Sequence, residues 1–360
     1  MADSVGQACL HNRHCLTSDQ HAEGSARPGG VGSEAPAPWG AGRALPGLRP
    51  GGESEFLYGP LQFHGGAFPR NTVKANLSMD IESLSDFFDA VKKELSEHSG
   101  RQVFFRGHSK TDYKLEPSVF RTKNWRESEH LMLRQMLAEN PKDFEGDNST
   151  FDKLVRAQHY GLPTRLLDIS TNPFVALYFA CCSNNSHDGK VLVISSSKQR
   201  HKYFDSDTVS LLSNLAFLKR SEKDELLSYA KSNVPERAIQ SERVKLYEKC
   251  PSLDKLLQTI RAEKNFFRSQ ADPFDLAYVV SVTPRKTHER IKAQEGQFLL
   301  FGMNESDQGT HLENLKITEI DISEFYKNIL LSELAQFGVS EKTLFPEIEK
   351  SAIQIRQRYS

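Results

Sequence analysis

An abrupt change in composition near residue 70 limits what this chain can fold into. Of its 22 glycines, 13 fall before residue 67, and the first lysine is Lys74. The stretch from Ala22 to Gly52 is built mostly from Gly, Ala, Pro, Arg and Ser. Such a segment cannot bury enough apolar surface to offset its chain entropy. Residues 1–70 are therefore expected to form a disordered tail, serving as a linker or as an interaction arm, and 71–360 to form the folded domain. Met79 is an alternative start, because Asp80-Ile81-Glu82-Ser83-Leu84 after it already has the character of folded protein.

The charge balance narrows the function classes. Lys+Arg is 46 against 47 Asp+Glu. A chain with a pI near 6.9 has no overall attraction for polyanions, although a local basic groove is compatible with it. No uninterrupted apolar run is long enough to span a bilayer, and the N-terminus lacks the basic-then-apolar pattern of a secretory signal. Five scattered cysteines give neither a disulfide framework nor a paired Cys-x-x-Cys metal site, and the twelve histidines have no ligand spacing. The expectation is a cytoplasmic protein without metal or membrane association. The absence of a Walker loop and of a Gly-x-Ser-x-Gly elbow counts against a P-loop nucleotidase and an ordinary serine hydrolase.

Beyond the tail, the hydrophobic periods mix helix and strand. Ile81, Leu84, Phe87, Phe88, Val91 and Leu95 recur at helical spacing up to Gly100. Helices are also expected over Ser128–Glu139, Phe151–Tyr160 and Pro173–Cys182, and through most of Asp205–Phe267. Strands are expected at Gln102–Phe105, Lys190–Ser195, Ala277–Val282, Gln297–Phe301 and Leu315–Ile320. Without strict alternation of the two, the class is α+β, with a mixed sheet core and helical insertions.

Three polar clusters carry the candidate chemistry. In Phe105-Arg106-Gly107-His108, an arginine just after a buried strand can grip a phosphate or carboxylate with its planar fork. Gly107 would let a ligand approach the backbone. The alternative is an arginine in a structural ion pair at a strand end. The second cluster runs from Ala157 through Gln158-His159-Tyr160-Gly161-Leu162-Pro163-Thr164-Arg165 to Asp168 and Asn172-Pro173. His159 and Tyr160 can pack on a base or move a proton, and Thr164 and Arg165 can bind phosphate, with Asp168 orienting Arg165. The structural alternative pairs Arg165 with Asp168 and caps the next helix with Thr171 or Asn172. The third cluster, Gln294-Glu295-Gly296-Gln297, opens an apolar strand. Alternation would aim Glu295 and Gln297 the same way, and a carboxylate there can hold a ribose hydroxyl and stabilise a sugar cation. An ordinary polar strand entrance is the other reading.

Together these motifs resemble the FRG domain family, named for its (Phe/Tyr)-Arg-Gly signature. Phe105-Arg106-Gly107 corresponds to that signature, and Tyr113, Leu115, Pro117-Ser118 and Arg121 to the element after it. Gln158 to Asp168, Asn172-Pro173 and Ala176-Leu177-Tyr178-Phe179-Ala180 follow the longest family pattern. Arg290, Gln294, Gly296 and Phe298, then Phe337-Gly338-Val339 and Leu344-Phe345-Pro346, resemble its later elements, so the likeness covers about 80–350. The layout is similar to that of the ADP-ribosyltransferase superfamily, which implies a sheet core of that fold and NAD as a substrate. In that likeness Arg106, Gly107, Gln158, Tyr160, Arg165, Gln294 and Gln297 bind the cofactor. Glu295 and His159 are catalytic, and the acceptor is an unidentified protein or nucleic acid. The superfamily's late glutamate corresponds to Gln297 here, so Glu295 would have to act from a shifted register.

The resulting expectation is an ADP-ribosyltransferase or NAD glycohydrolase. A non-catalytic module binding a nucleotide or a partner is the alternative. A nuclease or hydrolase acting through His159 and Asp168 is a third possibility.

Overall fold

The computed structural model describes residues 81–346, apart from 236, 269–270, 304–311 and 313, together with residue 356. The expected tail over residues 1–70 lies outside the described residues. Within them, helices and strands alternate irregularly around one curled, mixed sheet of seven strands, an α+β arrangement. No described helix is long and apolar enough to cross a membrane.

The first helix, α1 (Leu84–Glu97), starts at Ser83 in a capping box with Asp86. Its inner face is narrower than the apolar spacing suggests. Phe87 and Val91 are buried, but Phe88 and Leu95 are 56% and 42% exposed, and Glu94 turns inward to accept a hydrogen bond from Thr318. Strand β1 (Gln102–His108) is longer than the apolar run Gln102–Phe105, so Arg106-Gly107-His108 lies on the strand rather than after it. Next come α2 (Lys123–Glu139) and α3 (Thr150–His159). Strand β2 (Leu166–Ser170) follows, in a stretch that the hydrophobic pattern assigns to neither helix nor strand. Asn172 caps α4 (Pro173–Cys181), with proline in the first turn.

Strands β3 (Gly189–Ser196) and β4 (His201–Tyr203) precede a helical layer. That layer comprises α5 (Asp207–Asn214), α6 (Arg220–Asn233), α7 (Gln240–Tyr247), α8 (Pro251–Arg261) and the short α9 (Pro273–Ala277). The chain then returns through β5 (Val279–Thr283), α10 (Glu289–Ala293), β6 (Gly296–Phe301) and β7 (Leu315–Ile322). It closes with α11 (Lys327–Gln336) and α12 (Glu341–Leu344).

The strand order is β4-β5-β6-β2-β1-β3-β7, antiparallel at every junction except the parallel β4–β5 pair. The sheet curls strongly. Ser196 on β3 and Ser281 on β5 are four places apart in that order, yet their hydroxyls are 3.0 Å apart. Phe104, Leu167, Ile169, Leu192, Ile194, Leu299 and Phe301 fill the concave side. Because side chains alternate along a strand, the neighbours of these residues face outward. Phe105, Val191 and Val193 pack under α1, α4 and α11, whereas Leu166, Phe298 and Leu300 pack under α3, α5 and α8.

The β1–β2 junction is the weak seam. Those strands share a single paired position, Phe105 with Ser170, whereas β1 and β3 are paired continuously from Gln102 to His108.

Candidate functional site

Arg106 sits at this seam. Phe104 faces the concave side of β1, so Arg106 and His108 face it too. Past Phe105 the strands part, and the Arg106 guanidinium donates to the main-chain carbonyl of Asp168 in place of a ladder bond. Its Nε donates to Nε2 of His108 at 3.3 Å. Among the described residues no carboxylate lies within ion-pair distance of Arg106. Burial lowers its pKa, nearby Asp168 opposes that shift, and Arg121 adds to it.

His108 is pushed down to about 3, first by burial and then by the charges of Arg106 and Lys190. It is therefore a neutral acceptor at ordinary pH, and the Tyr113 ring meets it edge-on at 6.1 Å. Arg121 is exposed, and its side chain makes no hydrogen bond or ion pair among the described residues. The turn before it is held by the Val119 amide donating to the Thr164 carbonyl at 3.2 Å.

The register sorts the third cluster. Gly296, Ser170 and Phe105 stand in one row across β6, β2 and β1. Strands β6 and β1 run parallel to each other, so the next step brings Gln297, paired with Ile169, level with Arg106. Two strand spacings separate them, about 10 Å. The Gln297 Oε1 is buried without a hydrogen-bond partner.

Glu295 lies one step the other way and outside the strand. Its backbone is left-handed (φ 47°), so strand alternation does not extend to it and the expected common face with Gln297 is lost. The exposed Glu295 carboxylate accepts from Thr171 Oγ1 at 3.1 Å and Asn172 Nδ2 at 3.0 Å, beside the start of α4. Gln294 is used structurally: its Nε2 donates to the Leu344 carbonyl at 3.0 Å, and its own carbonyl accepts from Ser170. Arg290 lies over the Phe345 ring, 4.8 Å from its centroid. The two late motifs thus hold each other.

In the second cluster, Gln158 Nε2 donates to the Asp168 carboxylate at 2.9 Å, and its Oε1 accepts from Thr164. Asp168 thus joins Gln158 through its side chain and Arg106 through its carbonyl. The expected Asp168–Arg165 pairing is not formed: Arg165 stands just before β2, and its guanidinium is taken by Glu129. Arg165 is 1% exposed, and its fork grips both oxygens of Glu129 at 2.8 and 2.6 Å. Lys223 shares that carboxylate. This corrects the expectation of a phosphate-gripping Arg165: its guanidinium is enclosed in the core.

His159 stacks on His288 with centroids 5.0 Å apart, and the 58%-exposed Tyr160 meets His159 edge-on. His159 and Tyr160 at the end of α3, and His288 just before α10, share no contact with Arg106 among those described. Gly107 also differs from its expected use. A Cβ there would overlap the Ala176 carbonyl oxygen and lie 2.6 Å from the Ala180 amide nitrogen. Its bare backbone therefore admits α4, not a ligand.

The structure thus gathers Arg106, Gln158 and Gln297 around β2 and leaves Glu295, His159, Tyr160 and Arg165 in other contacts. His108 and Arg121 are additions to the site. Alternation from Arg106 would have found His108 had the strand been extended, and Arg121 was visible only through the Pro117-Ser118 motif.

Residues 101–189 match the FRG domain family, so an FRG domain is present from the residue before β1 to the first residue of β3. No curated protein and no solved structure matches the chain.

Proposed function

We propose that the chain binds a phosphate-bearing nucleotide, NAD in the first instance, at the parted seam of β1 and β2. The observation that carries this reading is Arg106: a half-buried guanidinium with no carboxylate within ion-pair distance among the described residues, Asp168 acting on it only from farther off, and with a second cation, Arg121, close by. Burying a cation without an anion is costly, and a bound phosphate would supply the missing charge. Of the five N–H donors of a guanidinium, Asp168 and His108 occupy only part. The rest remain for a pyrophosphate, and the fixed fork suits its oxygens. Gln297, level with Arg106 and with an unpaired amide oxygen, would take a ribose hydroxyl or the carboxamide of nicotinamide. His108 stays neutral and orients Arg106 without repelling it.

On this reading the protein is first a nucleotide-binding module. Transfer or hydrolysis of ADP-ribose, with a protein or nucleic acid as acceptor, is the second reading. It is favoured by one feature, the exposed Glu295 carboxylate on a left-handed backbone, a strained conformation of the kind that collects at functional sites. Titration calorimetry with NAD tests the first reading in wild type, Arg106→Ala and Gln297→Ala. Nicotinamide release by wild type, abolished in Glu295→Gln, would establish the second. Saturable binding that Arg106→Ala leaves untouched would reject the seam as the site.

A further inference from the structure

Strand β7 forms one edge of the sheet. It pairs with β3 continuously, Leu315–Ile322 against Gly189–Ser196, without bulge or proline. Among the described residues no other segment pairs with its main chain. The opposite edge, β4, is three residues long, whereas β7 has eight. Alternate N–H and C=O groups of a bare edge lack partners, and a long one is a template for another strand. At about 3.3 Å per residue, this template runs for about 26 Å.

The side chains beside the C-terminal half of the edge are acidic. Glu319 and Asp321 are exposed and share the side of the sheet that carries Lys190, the cross-strand neighbour of Asp321. Asp188 joins them just before β3, where its Oδ1 accepts from the Glu324 amide at 2.8 Å. Four carboxylates therefore gather at this corner. Lys190 answers Glu319 at 2.9 Å. Lys327 lies fully buried beneath and donates to the carbonyls of Ser109, Ser183 and Asn184. Lys316, toward the other end of the strand, donates to the Glu97 carbonyl. Burial raises the Asp321 pKa, Glu319 and Asp188 add to the shift, and Lys190 opposes it. Just past the strand, Phe325 and Ile329 are 80% and 49% exposed, one helical turn apart.

We propose that the β7 edge receives an extended segment of a partner protein in which cationic and apolar side chains alternate. Its main chain adds an eighth strand to the sheet. Side chains on one face of that strand stand beside Glu319 and Asp321, which calls for cations. Those on the other face stand beside the buried Ile320 and Ile322, which calls for apolar groups. The carboxylates turn away acidic segments and admit basic ones. A second copy of the chain fits less well, because it would set the same carboxylates beside their own kind. Strands β1 and β3 stand between this edge and the seam, so the proposal does not depend on the nucleotide reading.

The test is fluorescence anisotropy of the full chain with a labelled octapeptide of alternating lysine and valine. Two further forms of the peptide are methylated at the lysine or at the valine main-chain nitrogens, so that one of them loses the donors facing β7. The protein variants are Glu319→Lys and Asp321→Lys. Glu248→Lys, at an exposed acid of the helical layer, makes the same charge change elsewhere, and circular dichroism confirms that each variant is folded. Saturable binding by wild type is expected. At least one methylated peptide and both edge variants should weaken it about tenfold or more, and Glu248→Lys should leave it unchanged. No saturable binding by wild type, equal binding of both methylated peptides and the parent, or equal binding by wild type and the edge variants would overturn the proposal. So would equal weakening in all three lysine variants. A wild-type dimer in sedimentation that dissociates in Glu319→Lys would assign the edge to a second copy and overturn it as well.

Discussion

Replacing Gly107 with alanine tests how the (Phe/Tyr)-Arg-Gly signature is used. The added Cβ would meet main-chain atoms of α4, namely the Ala176 carbonyl oxygen and, at 2.6 Å, the Ala180 nitrogen. Main-chain atoms cannot swing aside as a side-chain tip can. Restoring ordinary contact of about 3.4 Å would require the helix to rise by at least 0.8 Å (3.4 less 2.6), and by more at Ala176. Val175, Ala176, Leu177, Ala180 and Cys181, none more than 2% exposed, would loosen together. A radial gap of 0.5–1 Å forfeits about a quarter to a half of each dispersion contact. The helix cannot pivot instead, since Gly189 supports a second crossing in which a Cβ would lie 2.7 Å from the Ala180 carbonyl oxygen.

Overpacking typically costs about 1–3 kcal/mol, and this backbone clash belongs at or above the top of that range. Urea denaturation followed by circular dichroism measures it. Gly146→Ala is the control: its Cβ would meet nothing within 4 Å, and its effect should stay within about 0.5 kcal/mol. A Gly107→Ala protein within about 1 kcal/mol of wild type would refute the packing argument.

Three further outcomes follow from the contacts. Glu129→Gln leaves Arg165 and Lys223 buried without their carboxylate and should cost about 3–5 kcal/mol in denaturation. In wild type, the Glu129 carboxyl is held down to about 2 by Arg165 and Lys223 against the opposing effect of burial. Its folded value is below its ordinary 4.5, so the stability it contributes is complete above that value and is lost as pH falls toward 2. Acid titration of wild type should show this loss, and a carboxyl titrating near 4.5 by carbon-13 resonance would contradict it. Asn172→Ala removes the cap of α4 and a tether of Glu295, and should cost about 1 kcal/mol; no measurable change would remove the capping role.

The parts of the fold that could be read from sequence were those set by local pattern. Asn172-Pro173 fixed the start of α4, and the apolar runs at Lys190–Ser195 and Gln297–Phe301 located β3 and β6. What sequence could not supply were partners distant along the chain. Arg106 and Arg165 both precede short polar or apolar stretches, and local context does not distinguish them. The difference is Glu129, 36 residues before Arg165, which holds that arginine in the core. Gly107 likewise gives no local sign that a helix some 70 residues on will press against it. Glu295 depended on where β6 begins: a left-handed residue just before Gly296 broke the alternation and left Gln297 level with Arg106.

The most direct test of the central claim is the NAD affinity of the full chain, compared between wild type and Arg106→Ala. The account predicts saturable binding by wild type and a loss of about tenfold or more in the variant, with Arg165 still buried and the fold intact by circular dichroism. No saturable binding of NAD by wild type, or equal binding by a folded Arg106→Ala protein, would contradict it.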